Sequence, residues 1–331
     1  MIKLIKANIY RMVKSSTLYI FIAVAVLISL ICVYLLTNES GMFQTGFAGN
    51  IEELYKGINV TDSNYDYDIQ GLGILVIECG VVLAVLSAFY ISIFAGRSLD
   101  GGAVRNDLIM GHKKSSIYLS AFITDIISTA ILSIAMFISI SVYILAGGYH
   151  PIIWWPYLLL LIGLVYILAL VISSFALMIV FFCRTYVAII GTILITIALS
   201  IIPGVIVSSD GKLMQYIIND EIFDYYEPQE LVTKEVIDWF DDANYRIVCI
   251  VDGERIPLKK TIKDLPQEQQ IKVYIVKALP HALYVDYEIY LMNPYIIAGS
   301  GYATRCLAVS LVWIIVVNTA GVLIFRKKDI M

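Results

Sequence analysis

Two carboxyl side chains, Glu78 and Asp125, lie inside long apolar stretches. An unpaired charge in the middle of a bilayer costs at least about 2.5–3.5 kcal/mol, so an acid kept there is a candidate functional residue. Glu78 would lie at a cavity or a subunit interface. Asp125 lies only about two turns inside its stretch, and hydrogen bonding to Ser120, Thr124 or a neighbouring helix is the alternative, purely structural role.

The other reactive residue types predict no catalytic, cofactor or metal site. His112, His150 and His281 are far apart, and the five cysteines show no CxxC spacing. Residues 111–115 (GHKKS) are similar to the end of a phosphate-binding loop but lack its spacing and its preceding strand. The apolar stretches contain no His-Asp, Ser-Lys or paired-Asp arrangement. We therefore expect no catalytic activity in this chain.

The composition is that of a membrane protein. Of the 331 residues, 60% are hydrophobic and 15% are charged, and the mean hydropathy is +0.83. Soluble domains are about 45–50% apolar and about 25% charged, so a cytosolic enzyme and a disordered chain are both excluded. Scattered basic residues and a pI near 5.4 also exclude nucleic-acid binding.

Six stretches reach the length of about 20 apolar residues that a helix needs to cross a bilayer. They predict an α-helical integral membrane protein with six transmembrane helices. These stretches are Thr17–Leu36, Leu72–Ala95, Ile117–Leu145, Trp154–Cys183, Tyr186–Val207 and Leu307–Phe325.

The basic residues predict the orientation. With the N-terminus inside, the internal segments carry twelve Lys and Arg and three acids, whereas the external segments carry ten Lys and Arg and twenty-two acids. Cytoplasmic loops are enriched in Lys and Arg, so both termini are predicted to be cytoplasmic. Residues 1–16 are predicted to form an interfacial helix, and residues 17–208 the first five spans with a cytoplasmic loop at 96–116. Residues 209–303 are predicted to form an external domain, and residues 304–331 the last span and a basic tail.

Two segments outside the spans have patterns of their own. In residues 1–16, Ile2, Ile5, Ile9, Met12 and Val13 recur at helical spacing, which predicts an amphipathic interfacial helix; a merely basic flank is the alternative. Residues 209–303 predict a small α/β extracytoplasmic domain between spans five and six. It would contain a helix over Leu213–Phe223, a strand over Arg246–Val251 with a hairpin turn, and a helix from Pro266 to Leu279.

The most informative stretch is the cytoplasmic loop 96–116. Paired glycines precede a short amphipathic helix predicted over Ala103–Met110, and Gly111 can adopt the left-handed conformation that ends it. A short, rigid helix at a cytoplasmic turn is suited to receive force from a soluble partner.

This stretch resembles the signature of type 2 ATP-binding-cassette exporter permeases, which continues through Tyr118, Leu119 and Ser120. The ending Phe325-Arg326-Lys327-Lys328-Asp329 is similar to the usual ending of that family. Six spans and internal termini also agree with the family, but the external loop between spans five and six is longer than in its simpler members.

The resemblance implies particular partners. Permeases of this family form homodimers or heterodimers in the bilayer, and each copy binds a separate cytoplasmic ATPase that holds ATP and Mg²⁺. The short helix would dock in a groove of that ATPase, and the turn between spans four and five would make a minor contact. The implied coupling residues are Arg105, Asn106, Asp107, Leu108, Met110 and, in that turn, Arg184.

The resemblance also implies a function. The chain would export an amphipathic cargo, such as an antimicrobial or toxic peptide, a drug or a lipid, across a bacterial plasma membrane. A non-transporting sensor or scaffold that binds a ligand through residues 209–303 is the alternative. That alternative would need an internal effector domain, and the predicted internal segments are short.

Overall fold

The computed structural model describes residues 1–38, 66–146, 155–183, 185–207, 221–223, 248–251, 254–257, 259–280 and 302–328. Most of these residues are helical. The helices are α1 (Ile2–Lys14), α2 (Ser16–Asn38), α3 (Asp66–Asp100), α4 (Ala103–Ile109), α5 (Lys114–Ala146), α6 (Trp155–Phe182), α7 (Thr185–Val207), α8 (Gln267–Ala278) and α9 (Tyr302–Lys327).

Five of the helices in the described part of the chain are long and apolar enough to cross a membrane. They are α2, α3, α5, α6 and α9, and each coincides with one predicted span. The remaining predicted span corresponds to α7, in which Thr185–Leu199 forms a shorter apolar helix. The fold is that of a helical, membrane-embedded protein.

Helix α6 occupies the centre of the bundle. It packs most extensively against α3 and α9, and it also contacts α5 and α7. Small residues on α6, including Ala169, Ser173 and Ala176, are completely buried. Small side chains let helices approach closely, which is the main source of packing between helices in a membrane.

Several elements meet at one end of the bundle, which we call the α4 end. Arg97 on α3 donates a hydrogen bond to Thr17 at the start of α2, 2.5 Å away. Thr185 at the start of α7 lies so close to Gly96 that a Cβ at Gly96 would collide with it. The beginnings of α2 and α7 therefore lie together with the end of α3, and contacts of Lys328 add the beginning of α5 and the end of α6.

Helix α1 lies against α5 at the α4 end, and residues 1–16 contain the predicted helix. Leu4, Asn8 and Met12 are buried, and Asn8 donates a hydrogen bond to Ser120 at 3.0 Å. Of the predicted apolar residues, Met12 is buried and Ile9 packs against the core, whereas Ile2 and Val13 are exposed. The contact of Asn8 with α5, more than a hundred residues away, is one that local pattern does not reveal.

The described part of the segment between α7 and α9 contains short strands. β1 (Glu221–Phe223) pairs with β4 (Lys259–Thr261), and β2 (Val248–Val251) pairs with β3 (Glu254–Pro257); both pairs are antiparallel. The helix predicted over Leu213–Phe223 is therefore wrong at its end, because β1 pairs with a partner that local periodicity cannot reveal. The first part of that predicted helix lies outside the described residues.

Candidate functional site

Helix α4 is a short helix held between two glycines in the left-handed conformation. Gly102 precedes it with φ 74°, and Gly111 follows it with φ 83°. At its end the His112 N–H donates to the Asp107 carbonyl at 3.1 Å, and the Gly111 N–H donates to the Leu108 carbonyl at 2.9 Å. This pair of bonds is a Schellman motif, which satisfies carbonyls that would otherwise lack a partner. The predicted helix and the predicted conformation of Gly111 are both confirmed.

One face of α4 is fixed to the bundle. Val104 is buried, and Leu108 packs against the core. The side chain of Asp107 also faces inward, and the residue is only 4% exposed. A carboxylate oxygen of Asp107 lies 3.9 Å from the guanidinium of Arg11 on α1. Asp107 and Leu108 thus lie on the inner face of α4.

The other face of α4 is open. Arg105 and Asn106 are exposed, Ile109 is 75% exposed and Met110 is 65% exposed. Ile109 is absent from the residues predicted for partner binding, although it lies one turn after Arg105, on the same face. We call Arg105, Asn106, Ile109 and Met110 the α4 surface. Exposed apolar side chains at this end of the bundle are suited to contact with a protein or with lipid rather than with water.

Asp125 lies in a buried polar network. The Ser173 hydroxyl on α6 donates to one Asp125 carboxylate oxygen at 2.7 Å, and the Thr129 hydroxyl donates to the other at 3.4 Å. Eleven residues separate Asp125 from Lys114, which places it about 16 Å along α5. Asp125 therefore lies about a third of the way along α5.

The network continues from α6 to α9. Asn318 on α9 donates from Nδ2 to the Ser174 hydroxyl at 3.0 Å, and its Oδ1 accepts a hydrogen bond from the Tyr118 hydroxyl at 3.3 Å. All of these side chains are buried. Asn318 links three helices, and sequence reasoning missed it. A lone asparagine in an apolar span is the signal that could have identified it.

The basic tail that follows α9 contacts several helices at the α4 end. Lys328 donates from Nζ to the carbonyls of Phe181 and Phe182, at 3.0 and 3.2 Å, and so caps the end of α6. Lys114 on α5 in turn donates to the Lys328 carbonyl at 2.5 Å. The ring of Phe325 packs edge-on against that of Phe181, with centroids 4.6 Å apart. The tail therefore joins α5, α6 and α9.

Two of the predicted site residues are not placed by these contacts. Glu78 belongs to α3, but its side chain lies outside the described residues, and Arg184 lies outside them altogether. The structure therefore brings α4 together with Arg11, and Asp125 together with Ser173 and Thr129. Within the described part of the chain, no three His, Cys, Asp or Glu side chains come together as a metal ion would require.

No family model, curated protein or solved structure matches the chain.

Proposed function

We propose that this chain is the permease subunit of an ATP-binding-cassette exporter of type 2. It would move an amphipathic cargo, such as an antimicrobial or toxic peptide, a drug or a lipid, out of a bacterial cell. A separate cytoplasmic subunit would hydrolyse the ATP, and a second permease copy would complete the pathway. In this proposal the α4 end faces the cytoplasm.

The α4 surface is the observation that carries the proposal. Arg105, Ile109 and Met110 lie on a helix that has a left-handed glycine at each end. On the inner face of this helix, the buried Asp107 contacts Arg11 on α1. A partner that moves such a helix transmits its motion directly to α3 and α5, because α4 contacts both of them. A loosely held loop would absorb the same motion.

The contacts narrow the set of residues that would touch the ATPase. Arg105, Asn106 and Met110 remain in that set, and Ile109 joins them. Asp107 would act as a positioning residue, because it is buried and paired with Arg11. Leu108 would likewise hold α4 against the core rather than meet a partner.

The proposal expects an ATPase gene beside this one, and purification of the chain with that ATPase tests it. The wild-type chain should retain the ATPase through affinity purification. Ile109→Asp should reduce the retained ATPase about tenfold or more, because burying an Ile side chain contributes about 1.5–3 kcal/mol and about 1.4 kcal/mol corresponds to tenfold. Arg105→Glu should also weaken retention.

Lys327→Glu is the matched control for Arg105→Glu. Lys327 is an exposed cation at the same end of the bundle, on α9 rather than on α4. We expect this reversal to leave the ATPase bound. The proposal fails if no ATPase copurifies with the wild-type chain, or if Ile109→Asp and Arg105→Glu leave both the complex and its ATPase activity intact.

A further inference from the structure

A hydrogen bond joins the end of helix α8 to the spanning helix α9. The indole N–H of Trp313 donates to the carbonyl oxygen of Ala278, the last residue of α8, at 2.9 Å. The last four carbonyls of any helix lack a partner within that helix. In hydrocarbon, water does not supply one, and an unsatisfied carbonyl costs several kcal/mol. Trp313 supplies the missing donor.

The position of Trp313 gives the depth of this contact. Trp313 precedes Arg326 by thirteen residues, or about 20 Å along α9. Arg326 and Lys328 mark the α4 end, where Lys114 binds both of their carbonyls. If Arg326 marks one boundary of a hydrocarbon core about 30 Å thick and α9 crosses it upright, the end of α8 lies about 10 Å below the opposite boundary.

One face of α8 packs on the protein and the other is open. Val273 and Val276 are buried, and α8 contacts α7. Ile271, Tyr274 and Ile275 are exposed by 52%, 53% and 46%. Their spacing of three and four residues places them in one row along the helix. We call these three residues the α8 stripe.

The α8 stripe is similar in character to the surface of the spanning helices α7 and α9. Large apolar side chains are exposed on both of these helices, as expected where helices face lipid. They are Ile190, Ile193, Leu194 and Ile197 on α7, and Leu311, Val312, Ile315 and Val316 on α9.

The beginning of α8 has the opposite character. Lys272 lies 2.7 Å from Glu268, one turn earlier, and its hydrogen bond lowers the pKa of the Glu268 carboxyl below the usual value. Glu268 is fully exposed and suited to water. Ten residues, or about 15 Å, separate it from Ala278 at the end that Trp313 contacts. The first turns of α8 thus carry an ion pair, whereas its last turn carries the cation Lys277, whose long apolar stem lets the ammonium reach toward the headgroups.

We propose that α8 is seated obliquely in the membrane leaflet that lies away from the α4 end, and that the α8 stripe binds the acyl chains of lipids. Trp313 anchors the deep end, and the Glu268–Lys272 pair stays at the headgroups. A depth of about 5–10 Å is typical of helices that lie in the interface. Tyr274 then lies where amphipathic rings are enriched. Part of the segment predicted to be aqueous is therefore a lipid-contacting element.

Photocrosslinking in lipid nanodiscs of phosphatidylcholine and phosphatidylglycerol tests this proposal with the full chain. A benzophenone amino acid is placed separately at 271, 274 and 275, at Ile315 on α9 as the lipid-facing control, and at Glu268 as the polar control. Adducts are identified by mass spectrometry. We expect lipid adducts at the three stripe positions in yields within about threefold of that at 315, and at least tenfold less at 268.

Three results would overturn the proposal. Lipid adducts absent at all three stripe positions would place the α8 stripe in water, and crosslinks to a second copy of the chain would assign it to a subunit interface. Equal lipid labelling at 268 and 274 would remove the distinction between the two ends of the helix. None of these results depends on ATPase binding, so this proposal can fail while the proposed export function stands, and the reverse.

A second variant tests the role of Trp313. Trp313→Phe keeps an aromatic ring against Phe175, whose ring centroid lies 5.9 Å from that of Trp313, but it removes the N–H donor. We expect the lipid adduct at 274 to fall at least threefold, while the adduct at 315 stays unchanged. An unchanged yield at 274 would show that this hydrogen bond does not hold α8 at its depth.

Discussion

Individual hydrogen bonds between buried polar side chains join the central helices of this protein. Asp125 accepts hydrogen bonds from Ser173 and Thr129, and Asn318 links Ser174 to Tyr118. Polar pairs between membrane helices contribute about 0.6 kcal/mol each on average and at most about 2 kcal/mol. Such groups stabilise a particular alignment of helices more than they stabilise the fold as a whole.

We expect Asp125→Asn and Asp125→Ala to differ. Asparagine retains an oxygen acceptor for one of the two hydroxyls, so its free energy of unfolding should change by less than about 1 kcal/mol. Alanine leaves a cavity and removes both acceptor oxygens, and it should cost about 1–3 kcal/mol. Thermal unfolding in detergent measures both effects. If asparagine is as destabilising as alanine, hydrogen bonding is not the role of Asp125.

Transport assays on the Asp125→Asn variant then distinguish a structural role of Asp125 from a role of its carboxyl group in transport. If Asp125 serves only as an acceptor, the asparagine variant should export cargo at the wild-type rate. A stable asparagine variant with no export would show instead that the carboxyl group itself takes part in transport.

Gly321 allows α9 to approach Tyr118 closely. A Cβ at Gly321 would fall on the Tyr118 ring, and that ring is fully buried against Phe181. We expect Gly321→Ala to destabilise the protein by about 1–3 kcal/mol, as overpacking does. Thermal unfolding measures this loss.

Gly163→Ala is the matched control, because a Cβ at Gly163 meets no atom within 4 Å. There the gain in helix propensity should raise stability by up to about 1 kcal/mol. Equal effects of the two substitutions would show that the contact with Tyr118 does not limit the size of residue 321.

At the scale of elements, the left-handed glycine after α4 fixes where that helix ends. Gly111 has φ 83° in open space, so alanine there would meet only backbone strain of about 1–2 kcal/mol. We expect Gly111→Ala to speed hydrogen exchange of the α4 amides, and Gly111→Asn to have a smaller effect. Unchanged exchange in the alanine variant would mean that the Schellman motif does not limit the opening of α4.

The cap that α9 places on α6 gives a second prediction at this scale. Lys328→Ala removes the donor to the carbonyls of Phe181 and Phe182. We expect a loss of about 1–2 kcal/mol, because a charged donor contributes more than a neutral one. The exposed Lys327→Ala should have little effect. Equal unfolding temperatures for both variants would exclude a capping role for Lys328.

The elements were easier to predict than the contacts between them. Hydropathy located the helices, and glycine spacing predicted the start and end of α4. The inward direction of Asp107 could not be predicted, because it depends on Arg11 on α1. The pairing of β1 with β4 and the contact of Trp313 with Ala278 are equally long-range. Local pattern carries no information about any of these partners.

At the scale of the whole molecule, the contacts constrain how many times the chain crosses the membrane. The end of α6 and the end of α9 lie together at the α4 end, joined by Lys328. If α9 crosses the membrane, it begins on the opposite side, so the chain must cross an odd number of times between Cys183 and Tyr302. Among the helices described in that interval, α7 is the apolar one that begins at the α4 end. This parity supports six spans.

The same parity makes the topology testable by thiol labelling in whole cells. Single cysteines are placed at Ser115, at the α4 end, and at Ser209, after α7, in a chain whose five natural cysteines are replaced. If α7 crosses and the α4 end is cytoplasmic, an impermeant maleimide should label position 209 in intact cells, and position 115 only after permeabilisation. Labelling of both or of neither in intact cells would place the two positions on one side and exclude a crossing by α7. Labelling of 115 alone would keep six spans but invert them, and the α4 surface would then face away from any cytoplasmic ATPase.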